Sequence, residues 1–180
     1  MANSVPRLAE QVSFFGNAAD KAMLAMDDIA IARAIHVFAV VVWIGGVAMV
    51  TTVILPIVRR GEKERLALLE AVERRFIWQA RIATLLVAAS GFYMVGRLDL
   101  WDRFRAIEFW WMHAMVLLWM IFTLILFIGE PLMQRRTRHT QVAPDARLAR
   151  MQWLHWVLLV LSAITVLAAV AGSQGMSLVP

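Results

Sequence analysis

The chain has 180 residues, 61% of them hydrophobic, a mean hydropathy of +0.68 and a formal net charge of +5. A soluble domain is about half apolar, so the composition predicts an all-α integral membrane protein and excludes an ordinary soluble fold. With no cysteine, disulfides, iron–sulfur clusters, thiolate-ligated haem and covalently attached haem are excluded as well.

From the N-terminus, residues 1–28 carry both signs of charge and do not read as a cleaved signal. Leu8, Val12, Phe15, Ala19, Met23 and Met26 recur at helical spacing opposite Arg7, Glu10, Gln11, Asn17 and Lys21. That pattern predicts an amphipathic helix lying at the membrane interface or covering the bundle. The first span, about 29–58, contains the charge-free run Ala34–Val58. The second, about 76–97, is apolar except for Gln79 and Arg81, whose guanidinium lies near enough to one end to snorkel. Leu66–Arg75 ahead of it reads as a helical continuation. The third span, about 108–131, and the fourth, about 151–172, contain the charge-free runs Phe109–Gly129 and Met151–Gly172. Each run is long enough for the ~20 residues that cross a bilayer. Pro56 and Pro131 fit helix ends or kinks. Short connections predict an up-down four-helix bundle in one domain, 1–180.

Basic residues set the orientation. Arg59, Arg60, Lys63, Arg65, Arg74 and Arg75 follow span one, and Arg135, Arg136, Arg138, Arg147 and Arg150 follow span three. The other side has Arg7, Lys21, Arg33, Arg97, Arg103 and Arg105 only. The positive-inside rule places both termini in the periplasm of a bacterial inner membrane. This bias accounts for the net charge, and no nucleic-acid partner is needed.

Histidines carry the functional reading. An imidazole in hydrocarbon is costly and marks a partner, a water path or a metal. His36 follows Arg33 by three residues and His113 follows Glu108 by five, in spans that run the same way. Both therefore lie roughly 5–8 Å below the outer boundary. His155 enters from the inner side, on the order of 15–20 Å from that level, and His139 sits in a basic loop, where it is expected to be solvated. In a bundle cyclic in sequence order, spans one and three are diagonal, on the order of 13 Å apart. That spacing suits two imidazoles with an iron between them, so His36 and His113 are the predicted metal ligands of a haem b.

Small residues at the same level, Ala88, Ala89, Ser90 and Gly91 in span two and Ala168, Ala169, Ala171 and Gly172 in span four, would admit a flat ring. They serve close helix packing equally well. Arg33, Gly91, Arg103 and Trp110 are the candidate cofactor contacts, with Arg33, one turn above His36, placed to meet a propionate. The tryptophans otherwise form the usual interfacial belt. Trp43 and Trp119 lie deeper and line either a cofactor or quinone pocket or plain core. At the inner side Arg81, Glu130 and His155 are placed to form a polar cluster, as a structural salt bridge or a proton or quinone-headgroup site.

The run His36-Val-Phe-Ala-Val-Val-Val-Trp43-Ile-Gly45-Gly46 resembles the His…Trp-x-Gly-Gly first helix of CopD-like and HemJ-like small bacterial inner-membrane proteins. Ser90-Gly91-Phe92-Tyr93 and Trp111-Met112-His113 are similar in placement, over about residues 30–130. The resemblance implies a four-helix membrane fold. Its HemJ-like branch implies b-type haem and protoporphyrinogen oxidation, and its CopD-like branch implies copper handling. Span three has His113 but no lysine, where HemJ-like proteins carry one.

Two function classes follow. In one, a b-haem protein relays single electrons near the periplasmic face to or from a quinol or a periplasmic redox partner. In the other, a noncatalytic membrane subunit or copper-handling protein uses its histidines as hydrogen bonds between helices. Partners would be the lipid bilayer and the subunits of a respiratory assembly or a second copy of the chain.

Overall fold

The computed structural model describes residues 5–59, 63–132 and 144–176. The inner-loop residues Arg135, Arg136, Arg138 and His139 lie outside the described residues. Helix α1 spans Val5–Met49 and passes through a π-helical segment, Val50–Ile54, into α2, Leu55–Arg59. Helix α3 spans Lys63–Arg97, so the continuation from the inner loop into span two is present. Two 3-10 turns, Trp101–Arg105 and Ile107–Phe109, lead into α4, Trp110–Leu124, which ends in a second π-helical segment, Ile125–Gly129. Helix α5 spans Pro144–Ser173. Among the described residues there is no strand.

Helix α1 joins the N-terminal segment expected to form an amphipathic helix to the first span. From Val5 onward that segment is the start of one 45-residue helix. Pro6 stands in the first turn, where its missing N–H costs nothing. No further proline interrupts the run before Pro56, and alanine recurs throughout it. A helix of this length is roughly 68 Å long, well over twice the ~30 Å hydrocarbon core. Its N-terminal part therefore extends beyond the apolar span.

Helix α1 packs along α3 and α4 along α5, while α3 meets α4 and α5 meets α1 and α2. The ring is cyclic in chain order, with α1 opposite α4. Its middle layer is Ala39, Trp43, Val47, Ala80, Ala83, Val87, Leu118, Phe122, Leu126 and Leu158. Trp43 and Phe122 meet across the diagonal edge to face, with centroids 4.7 Å apart. An outer layer holds Trp111, Met112 and Ala168, and an inner layer Val50, Leu55 and Val58. The buried hydroxyls of Thr51, Thr84 and Ser162 donate to carbonyls one turn back in their own helices, which removes the cost of burying them.

Met26–Val58, Ile107–Leu132 and Ala149–Ser173 are long and apolar enough to cross a membrane. Helix α3 has the length, but Gln79, Arg81 and its charged first turns dilute its apolar stretch.

The two π-helical segments share a cause. Ile54 and Gly129 each stand two residues before a proline, Pro56 and Pro131. A proline ring clashes with the carbonyl four residues back and offers it no N–H. The helix responds by widening: Leu55 N–H donates to Val50 O, and Glu130 N–H to Ile125 O, each five residues back. Leu126 O thereby loses its ordinary donor, Glu130, and the next candidate is Pro131, which has none.

At the other end of the bundle α3 ends at Arg97, and Asp99, two residues on, has a left-handed φ of +50°. Leu100 N–H closes the helix end on Val95 O at 3.0 Å. Glycine is the residue that adopts this conformation without strain. Asp99→Gly is therefore expected to stabilise the protein by about 0.5–1 kcal/mol, read as a rise of a few degrees in the unfolding midpoint in detergent.

Candidate functional site

His36 lies on the inward face of α1, in line with Ala32, Ala39 and Trp43, which are buried. Its Nδ1 donates to Val87 O at 3.0 Å and lies 3.1 Å from Ser90 Oγ. Ser90 donates its own proton to Leu86 O at 2.5 Å, so its oxygen is free to accept from the imidazole. Gly91 makes room for the ring. A Cβ there would come within 3.2 Å of His36 Cε1, so the imidazole lies close against α3 at this position. One side chain thus ties α1 to Val87, Ser90 and Gly91 of α3.

His113 faces the other way. The inward stripe of α4 is Trp111, Met112, Leu118, Phe122 and Leu126. At ~100° per residue, His113 falls on the opposite stripe with the exposed Leu117, Met120 and Leu124. Its Nε2 donates to Phe104 O at 2.9 Å, and its ring meets Phe104 edge to face with centroids 5.4 Å apart.

The two imidazoles therefore do not face a common interior. At this end of the bundle α4 packs toward α5 and the end of α3: the Trp111 indole lies on Gly172, and Met112 packs with Ala168 and partly buried Val95, Leu100 and Met115. Two clefts open outward at this level, and they have no lining residue in common. One, of about 360 Å³, is formed by Phe104, Arg105, Ala106, Ile107, Trp110 and His113. The other, of about 340 Å³, lies between α1 and α3 and includes Asp28, Ala32, Ser90 and Tyr93. His113 lines the first of these clefts and His36 neither, and the two imidazoles face different sides of the bundle.

The remaining candidate contacts are spread out. Gly91 touches His36, Trp110 lines the His113 cleft, Arg33 is exposed on α1, and Arg103 lies 5.0 Å from the Phe109 ring centroid. Among the described residues no group of three or more histidine, aspartate or glutamate side chains is placed to hold a metal ion.

The inner cluster forms in part. Arg81 NH2 lies 3.0 Å from Glu130 Oε2, with both side chains about four-fifths buried (22% and 21% exposed). Arg81 also donates twice to Leu126 O, from Nε at 3.2 Å and from NH2 at 2.9 Å. Trp78 and Phe127 flank the guanidinium, with centroids at 5.6 and 5.5 Å. The cation thus supplies the donor that the π turn and Pro131 deny to Leu126. His155 turns instead to its own helix, with Nδ1 donating to Met151 O at 2.9 Å.

The chain matches no protein-family model, no curated protein and no solved structure.

Sequence reasoning located the ionisable residues but missed their backbone acceptors: Val87 O for His36, Phe104 O for His113 and Leu126 O for Arg81. A signal existed for the last alone. A proline one residue after an intramembrane glutamate marks a carbonyl in need of a donor.

Proposed function

We propose that this chain is an integral membrane protein of the bacterial inner membrane, crossing four times with both termini periplasmic. In this reading it is a noncatalytic helical component of a membrane assembly, and its histidines fasten helices and loops. Support for the crossings comes from three helices of sufficient length and apolarity, and from α3 completing the bundle with Arg81 neutralised by Glu130. The arginine bias of the loops supports the orientation.

The observation that carries the functional reading is that His36 and His113 each donate to a carbonyl of a neighbouring segment, one facing inward and one outward. Such bonds contribute about 0.5–1.5 kcal/mol each. The test is purification from haem-replete cells with absorption spectroscopy and metal analysis. A colourless, folded protein is expected, with His36→Ala lowering the unfolding midpoint without any spectral change. A low-spin b-type band in the reduced spectrum, lost in both His36→Ala and His113→Ala, overturns the reading.

One observation favours haem b as a second reading. His36 Nδ1 is held by a backbone carbonyl, the usual way a metal-binding histidine is oriented so that Nε2 faces its metal. A haem on His36 would need a second ligand other than His113, or a single-ligand iron. The same spectrum decides it: a b-type band lost in His36→Ala and retained in His113→Ala would establish this reading.

A further inference from the structure

His113 is an imidazole on the outward face of an apolar span, and its hydrogen bond to Phe104 uses only one of its two nitrogens. With Nε2 as donor, neutral imidazole leaves Nδ1 as an acceptor. That nitrogen belongs to the side chain lining a cleft of about 360 Å³, walled by Phe104, Ile107 and Trp110. The volume falls within the range of small-molecule sites, about 300–1,000 Å³. Arg105 also lines the cleft, its exposed guanidinium 3.0 Å from Asp102 through NH1. The cleft thus combines aromatic walls, one acceptor and one cationic donor.

We propose that this cleft binds the headgroup of a hydroquinone-type molecule, a hydroxyl-bearing aromatic ring dissolved in the outer leaflet. A ring hydroxyl donates to His113 Nδ1, the ring packs between Phe104 and Trp110, and a second oxygen accepts from Arg105. A phospholipid phosphodiester fits less well, because it has no proton to offer the imidazole acceptor. The location in the outer leaflet rests on the reading that α4 crosses the membrane. The recognition chemistry rests on the cleft alone. Only binding is assigned.

The test uses the full chain in phosphatidylcholine nanodiscs, titrated with a short-chain benzoquinol under reducing conditions and followed by tryptophan fluorescence. Saturable quenching is expected, with a smaller amplitude in Trp110→Phe. Affinity should fall at least tenfold in His113→Phe, which keeps an aromatic ring but no acceptor, and in Ala106→Leu, which fills the cleft without touching the histidine. Asp28→Asn, in the other cleft, should bind as the parent does. Quenching that rises linearly with quinol and is equal in His113→Phe is partition into lipid and overturns the proposal. Loss of binding in phosphatidylglycerol nanodiscs overturns it in favour of an anionic lipid headgroup. A coloured, haem-bearing preparation would overturn the noncatalytic reading above while leaving this titration intact, so the two failures are distinguishable.

Discussion

Arg81→Met alone is expected to destabilise the bundle by about 3 kcal/mol or more, the usual cost of removing one partner from a buried pair. Two losses combine. Glu130 keeps its charge but loses the guanidinium 3.0 Å away, in a setting where both side chains are about four-fifths buried. Leu126 O loses the two donors that replaced its missing N–H, and an unmet buried carbonyl costs about 1–3 kcal/mol. Glu130→Gln is expected to cost less, because an amide oxygen still accepts from Arg81. The double variant Arg81→Met/Glu130→Met removes both charges and should regain part of the loss. It should stay below the parent, because Leu126 O remains unserved. Equilibrium unfolding in detergent micelles checks the series. A double variant as stable as the parent would show that the carbonyl never needed Arg81.

Trp43→Ala is the second large effect, expected at about 3–5 kcal/mol. Trp43 is 3% exposed, sits in the middle layer between α1 and its neighbours, and bridges the bundle diagonal to Phe122. Removing it empties the centre of the ring. Trp43→Phe should behave quite differently. Trp43 Nε1 is buried without a hydrogen-bond partner, so phenylalanine sheds an unmet donor while keeping most of the aromatic contact. We expect a change within about 1 kcal/mol, the smaller volume and the removed donor offsetting each other. A large loss in Trp43→Phe would mean that the indole N–H has a partner in the membrane, such as a bound water. Comparing the two variants separates the ring's volume from its polarity.

The span positions were legible because apolar runs of twenty or more residues have few other uses. The ring order followed from short connections. Rotation about each helix axis was not legible, and His113 shows why. In a soluble helix, polar residues mark the outer face. In α4 the inward stripe of Trp111, Leu118 and Phe122 and the outward one of Leu117, Met120 and Leu124 are equally apolar. Depth could be counted from Glu108, but azimuth could not. His36 came out inward, as expected, yet its partner was the backbone of α3, which no side-chain pattern encodes. Arg81 with Glu130 was accessible from depth and charge together. His155 was not part of that pair, because a histidine near the start of α5 can satisfy itself on its own preceding turn.

The widened turn before Pro131 holds one residue more than an α-helical turn, so everything after it is offset by a single step of the spiral, about 100°. Glu130 meets Arg81 only because of that surplus residue; in an uninterrupted helix its carboxylate would swing toward the neighbouring sector of the circumference. The length of the chain between Leu124 and Pro131 is therefore fixed to the residue. Deleting one position there would turn Glu130 by that step and part the only ion pair among the described residues whose two side chains are both mostly buried.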